Sequence, residues 1–157
     1  MLNKQKKIFF NFFLLIHIFS FGSLTFSQDN YKELGFLIIV NSENSYKNEI
    51  DKGLRKIELI YRGNSKEWPG NLKATFFSRG EDNPVQLEFY RKILNMNAKE
   101  INTFWEAKAS RGVYKPNSIE NIRNLINEIS RNKGAVSIIS KSEIEKIPAK
   151  VRVLYEF

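Results

Sequence analysis

The sequence lacks cysteine altogether and has one histidine, His17, among its 157 residues. Without cysteine the chain cannot form a disulfide, a thiolate zinc site, a cysteine nucleophile or a lipid anchor attached to cysteine. A single histidine excludes a multi-histidine metal site. We therefore expect neither a metal nor another cofactor. The rest of the composition, 42% hydrophobic and 27% charged, is typical of a globular chain.

The first 27 residues have the three-part pattern of a secretory signal peptide. Three lysines precede an apolar stretch at 8–21, and small residues at 25 and 27 fit cleavage before Gln28. A retained membrane anchor is the alternative, but the apolar stretch is shorter than the roughly 20 residues that a bilayer requires. We expect an exported protein in the periplasm of a double-membrane bacterium, because no cysteine can carry a lipid; secretion to the medium is the second possibility.

Cleavage would leave a single domain, 28–157, which is 157 less 27 or 130 residues long. Its net charge falls from +8 to +5, because three lysines and no acids are lost, and it contains no histidine. The usual general bases and thiol nucleophiles are then absent, which predicts a protein that is not an enzyme. The moderate charge, interspersed with acids, and the export signal argue against nucleic-acid binding.

Apolar strands alternate with amphipathic helices along the mature chain. The patterns predict strands at 35–40, 72–76, 135–139 and 151–155, with the final strand at a sheet edge. They predict one helix at about 50–61 and a second that begins at Pro84, with Asn83 or Asp82 as its cap. A third helix is predicted to begin after Asn97, and a fourth to run from Ser118 to a left-handed end near Gly134. This order indicates an α/β fold, a single lobe with a mostly parallel central sheet flanked by helices.

The junction between the second strand and the helix at Pro84 is the candidate binding site. Ligands of open α/β sheets bind at the carboxyl ends of strands, and an arginine there offers a planar donor fork for phosphate or carboxylate. We identify Arg79 as the main candidate for binding an oxyanion, with Ser78 and Asn83 as uncharged donors. The alternative is that Arg79 pairs with a nearby acid, Glu81, Asp82 or Glu88, and the loop is only a helix cap.

The order of these elements resembles the phosphate-binding protein family of phosphate ABC transporters. The similar segments are an apolar strand ending in Asn41, an Ile-Tyr-Arg-Gly helix end at 60–63, Trp68, the strand leading to Arg79, and a Gly-Ala-Val-Ser-Ile strand at 134–138. The resemblance covers about residues 35–157. It implies a lobe of a type II periplasmic binding protein, phosphate or another small oxyanion as ligand, and an ABC permease as partner.

Two departures from that family leave two hypotheses open. Asn83 stands where the family has a ligating serine, Pro84 and Val85 replace its glycine and threonine, and the chain is long enough for only one of the family's two lobes. The first hypothesis is a solute-binding-like protein that binds phosphate or another oxyanion at Arg79, Ser78 and Asn83. The second is a periplasmic interaction or sensory module that has kept the fold without the ligand, with a homodimer or another envelope protein as its partner.

Overall fold

The computed structural model of the chain describes residues 35–47 and 50–157. The predicted signal peptide, 1–27, lies outside these ranges. No helix within them is long and apolar enough to cross a lipid bilayer.

Strand β1 (Phe36–Asn41) is one of the two inner strands of a four-stranded sheet, and all six of its residues are buried. It lies between β5 (Ala135–Ser140) and β6 (Val151–Glu156), while the short strand β4 (Thr75–Phe76) pairs with the other side of β5. The α/β class, with a central sheet flanked by helices, is confirmed, and so is the edge position of β6.

The prediction that the central sheet is mostly parallel is wrong. In the four-stranded sheet β1 runs antiparallel to both of its neighbours, whereas β4 pairs with β5 in parallel. The continuous apolar run in β1 reflects burial on both faces, which parallel strands usually have but which antiparallel strands also acquire when helices cover both sides. The sequence pattern therefore indicated burial correctly and direction incorrectly.

The helices cover the sheet on both faces, and alternate residues of β1 face them. Phe36, Ile38 and Val40 belong to the larger core, with side chains from α1 (Ile50–Tyr61), α2 (Pro84–Phe89) and α3 (Ala98–Ala109). Leu37 and Ile39 belong to a second core with Leu125 and Ile129 of α4 (Ile122–Arg131). A π-helical turn, Tyr90–Leu94, follows α2 directly.

The predicted cap of α2 at Asn83 is correct, α3 begins after Asn97 as predicted, and the predicted cap of α4 is wrong. Asn83 and Asn97 each accept a hydrogen bond from a backbone N–H in the first turn of α2 and α3. The cap of α4 is Asn121, not Ser118. Residues 117–119 are extended because they pair with Ser78: its N–H donates to the Asn117 carbonyl at 2.9 Å, and Ile119 N–H donates to the Ser78 carbonyl at 2.8 Å.

The strand expected at 72–76 is divided in two. Its first part, β3 (Leu72–Lys73), pairs with β2 (Glu67–Trp68) in a separate two-stranded sheet, and its second part is β4 of the main sheet. The backbone changes partner at Ala74, whose N–H donates to the Lys66 carbonyl. Alternation of apolar residues gives no signal for such a change of partner, since both halves have the same period.

Gly134 connects the two sheets by close backbone approach. Its carbonyl accepts hydrogen bonds from the Trp68 indole at 2.8 Å and from Thr75 N–H at 3.0 Å. A Cβ at this position would lie 1.7 Å from the Lys73 carbonyl oxygen. The expected left-handed conformation at Gly134 is wrong, because the glycines with positive φ are Gly63, Gly70 and Gly112. Lack of space, rather than backbone conformation, requires glycine here.

We expect Gly134→Ala to lower the free energy of unfolding by about 3 kcal/mol or more, because a Cβ forces the two backbone segments apart. Gly112→Ala is the matched control: its φ is +75°, but nothing lies within 4 Å of its Cβ position. Alanine at position 112 costs only the strain of a left-handed backbone conformation, about 1 kcal/mol. Urea unfolding followed by circular dichroism measures both, and equal losses would contradict the steric explanation.

Candidate functional site

Arg79 lies just beyond the end of β4, where the sequence predicted the anion site. Its side chain is buried, with 3% of its surface exposed. The Arg79 backbone N–H donates to Oε1 of Gln86 on α2 at 2.7 Å, and Gln86 is fully buried. This bond fixes the loop between β4 and α2 against the helix and sets the direction in which the arginine leaves the backbone.

The guanidinium of Arg79 binds a carboxylate of the same chain. Nη1 donates to Oε2 of Glu143 at 3.0 Å and Nη2 donates to Oε1 at 2.7 Å, a two-pronged ion pair. Nη2 also donates to the Glu120 carbonyl at 2.7 Å, whereas the buried Nε has no hydrogen-bond partner. The Glu143 carboxylate therefore binds Arg79 by the same fork geometry that a phosphate or a free carboxylate would use.

Glu143 is itself positioned by the backbone. It lies in the loop between β5 and β6, where its Oε2 also accepts a hydrogen bond from Ser140 N–H at 2.7 Å. Its side chain keeps 26% of its surface exposed, so one side of the ion pair reaches solvent. The buried cation thus has a fixed and partly accessible counter-charge.

The expected local partners of Arg79 are wrong. Glu81 pairs with Lys115, and Glu88 pairs with Arg91 and Lys92 on its own helical segment. Arg91 lowers the Glu88 pKa, mainly through their hydrogen bond. The actual partner, Glu143, is 64 residues further along the chain. No local pattern marks it, because the strand pairings bring its loop to Arg79.

Ser78 and Asn83 make contacts with their own loops. The Ser78 hydroxyl donates to the carbonyls of Pro116 and Asn117 at 3.2 and 3.3 Å, and its side chain is buried. The Asn83 side-chain oxygen accepts the Val85 N–H at 3.0 Å as the cap of α2. Their assignment as oxyanion ligands, together with that of Arg79, stays a prediction.

A cavity of about 220 Å³ lies beside this loop, under the segment 115–118. Its lining includes the three aromatic side chains Tyr61, Tyr90 and Trp105, with Ile101 next to them. Tyr61 interacts with both Tyr90 and Trp105 through its hydroxyl, while the buried Trp105 indole N–H completes no hydrogen bond of normal geometry. The charged residues Arg79, Glu81 and Lys115 also line the cavity. Sequence analysis assigned Trp105 to the core and gave no sign of the cavity.

Burial controls the ionisation of the two tyrosines. Desolvation raises the pKa of Tyr61 far above its usual value, and the nearby Tyr90 raises it further. Desolvation also raises the pKa of Tyr90, against a lowering contribution from the Tyr61 hydrogen bond. Both hydroxyls are therefore neutral at physiological pH and can each donate or accept a hydrogen bond.

Within residues 35–47 and 50–157, no three histidine, cysteine, aspartate or glutamate side chains are grouped so that they could hold a metal ion.

Comparison with known proteins finds similarity in structure only. No protein-family model matches the sequence, and no curated protein matches it. An ABC-type phosphate transport receptor from Vibrio cholerae superposes with a TM-score of 0.55 at 14% identity, over 78% of this chain and 47% of the receptor. A possible phosphate binding protein from Planctomyces limnophilus DSM 3776 gives 0.52 at 12% identity, over 77% of this chain and 40% of that protein.

These superpositions establish the fold of the chain. The chain shares its fold with a part of each of these two structures, as the order of strands and helices implied. The chain spans less than half the length of either structure.

We expect the Arg79–Glu143 pair to be strongly coupled. Glu143→Leu leaves a buried guanidinium with one carbonyl and is expected to cost about 3–5 kcal/mol of unfolding free energy, with a smaller loss for Arg79→Met. The double variant should recover about 2 kcal/mol relative to the sum of the single losses. Urea unfolding of the four proteins measures this coupling.

Arg55→Ala serves as the control for that measurement, because Arg55 pairs with Glu58 on the surface and is 64% exposed. It should cost less than about 1 kcal/mol. Strictly additive losses for the Arg79 and Glu143 variants would mean that their ion pair contributes nothing to the fold.

Proposed function

We propose that this chain is a non-enzymatic, exported protein with a solute-binding-like lobe that acts as an interaction module in the cell envelope. The single observation that carries this proposal is the two-pronged bond between Arg79 and Glu143, at 2.7 and 3.0 Å. Arg79, the cation best suited to bind a free oxyanion, already binds the carboxylate of Glu143. The lobe keeps the fold of phosphate receptors, while its arginine serves the stability of the lobe.

The location in the envelope rests on the sequence. The pattern of residues 1–27 fits a signal peptide, and 28–157 would be the working domain. A periplasmic location agrees with the receptor role of one of the two structurally similar proteins. Secretion to the medium is the alternative location.

The proposal that the chain is not an enzyme also rests on its composition. Residues 28–157 contain neither cysteine nor histidine. Acid–base or nucleophilic catalysis would then depend on carboxylates, lysine, tyrosine or serine alone. The buried tyrosines beside Trp105 are poor bases, since their raised pKa values keep them protonated.

A second candidate function, oxyanion binding for a transporter, is favoured by the partial exposure of Glu143. If its loop moved away, Arg79 with Ser78 and Asn83 would face a phosphate-like ligand, and an ABC permease would be the natural partner. A tethered carboxylate has an effective concentration in the millimolar range or above. Free phosphate therefore competes poorly with Glu143 unless a partner displaces it.

Titration calorimetry with phosphate and sulfate separates the two candidates. We expect no binding to the wild-type protein below about 1 mM, and a gain of at least about tenfold in affinity for Glu143→Ala, because the internal competitor is removed. The double variant Glu143→Ala with Arg79→Met should lose that gain. Micromolar phosphate binding by the wild type, abolished by Arg79→Met, would instead establish the receptor.

Site-specific photo-cross-linking tests the interaction module. Tyr114 has 77% of its surface exposed, so a reactive side chain at this position can reach a bound partner. A photoreactive phenylalanine analogue at 114 should give one defined cross-linked product in intact cells, either a homodimer or one envelope protein. The same analogue at Arg55, exposed on α1, is the control. Equal products from both positions, with a monomer by light scattering, would argue against the proposal.

A further inference from the structure

A groove of about 460 Å³ runs along one side of α3, next to the cavity. Asn102, Trp105, Glu106 and Ala109 line it, and their spacing of i, i+3, i+4 and i+7 places them on one face of the helix. Trp105 also lines the cavity, whereas Arg79 lines the cavity only. The charges that face a ligand in the groove therefore come from residues other than Arg79.

The loop after α3 forms the opposite wall of the groove. Gly112, with a φ of +75°, lets the chain turn back along the helix. Tyr114 and Lys115 then line the groove together with Glu81 from the loop after β4. This wall is open, because Tyr114 and the side chains of Lys115 and Glu81 are each more than half exposed. A ligand in the groove therefore keeps one end in solvent.

The charged groups that line the groove leave one negative charge without a partner. Lys115 pairs with Glu81, so their two charges cancel. Glu106 also lines the groove, and no cation among residues 35–47 and 50–157 pairs with its carboxylate. A bound anion would be repelled by this carboxylate, whereas a bound cation gains a counter-charge.

Two aromatic side chains add to the attraction for a cation. Trp105 and Tyr114 both line the groove, with Ala109 beside them. The faces of aromatic rings attract a positive charge, and a planar guanidinium also stacks on them. The aliphatic stem of an arginine or lysine packs well on apolar surface of this kind. A carboxylate with aromatic walls is therefore suited to the end of a basic side chain.

We propose that this groove binds a basic side chain of a protein partner, an arginine above all, with its guanidinium against Glu106 and the rings of Trp105 and Tyr114. The open wall suits a group that is attached to a larger molecule, because the rest of that molecule stays outside the groove. This inference rests on the interaction module proposed above, for which it names the chemistry of the partner.

Acetyl-arginine methylamide is the probe, and nitrogen–proton correlation NMR of the full-length protein is the measurement. The chain has two tryptophans, so it gives two indole N–H signals. We expect the Trp105 indole and Tyr114 backbone signals to move and saturate in the millimolar range, while the Trp68 indole, bonded to the Gly134 carbonyl, stays in place. Acetyl-citrulline methylamide has nearly the same shape without the charge. It should bind at least about threefold more weakly at low salt, with a smaller difference at high salt.

Variants at exposed positions identify the groups that bind the probe. Glu106→Gln keeps the shape of the side chain and removes its charge, and should weaken binding by about threefold or more. Tyr114→Ala should weaken it by about two- to fivefold, whereas Tyr114→Phe keeps the ring and should bind like the wild type. Glu145→Gln is the matched control, because Glu145 is an exposed acid that does not line the groove.

Three results would overturn the inference: no movement of the Trp105 signal up to about 50 mM probe, equal binding of the citrulline compound, or unchanged binding by Glu106→Gln. Butylguanidinium that binds at least about tenfold more tightly than the arginine compound would assign the groove to a free organic cation instead of a protein side chain. A cross-link from position 114 without any cation binding would overturn this inference alone and leave the interaction module in place.

Discussion

Burial of β1 on both faces is the constraint on which the other elements depend. A strand whose six side chains are all inside must have a helical layer on each side of the sheet. Alternate residues of β1 contact α1 to α3 on one face and α4 on the other. The loops that carry Arg79 and Glu143 follow strands of this same sheet, so the sheet determines which charged groups meet.

The Arg79–Glu143 pair gives a structural role to an arginine whose position at the end of a strand suggests ligand binding. On sequence grounds such an arginine suggests a ligand, because its fork matches phosphate and carboxylate. A buried guanidinium cannot remain unpaired, however, and when the chain supplies its own carboxylate the same geometry stabilises the fold. Similarity of fold to phosphate receptors is therefore compatible with a different use of the arginine.

Local sequence patterns predicted the features that depend on neighbouring residues. The bounds of β1, α1 and β5, the cap at Asn83 and the start of α3 after Asn97 follow from periodicity and capping chemistry within one or two turns. Features that depend on distant contacts were missed. These include the direction of β1 relative to β5 and β6, and the change of strand partner at Ala74. They also include the pairing of Ser78 with residues 117–119, which keeps these residues extended so that α4 begins later in the chain. The cavity was missed for the same reason, since Tyr61, Tyr90 and Trp105 come from three separate helical segments.

The pairing of β1 also fixes the order in which the sheet can be completed. Leu37 pairs with Ile139 on one side and with Glu156 on the other, so both neighbours of β1 come from much later in the chain. Sheets that depend on such distant contacts form slowly, because a long loop must close before any strand contact is gained. The N-terminal side of the domain is synthesised first, so an apolar β1 exists long before β6 can cover its edge. Strand β1 is therefore among the first parts of the domain to be made and among the last to be fully paired.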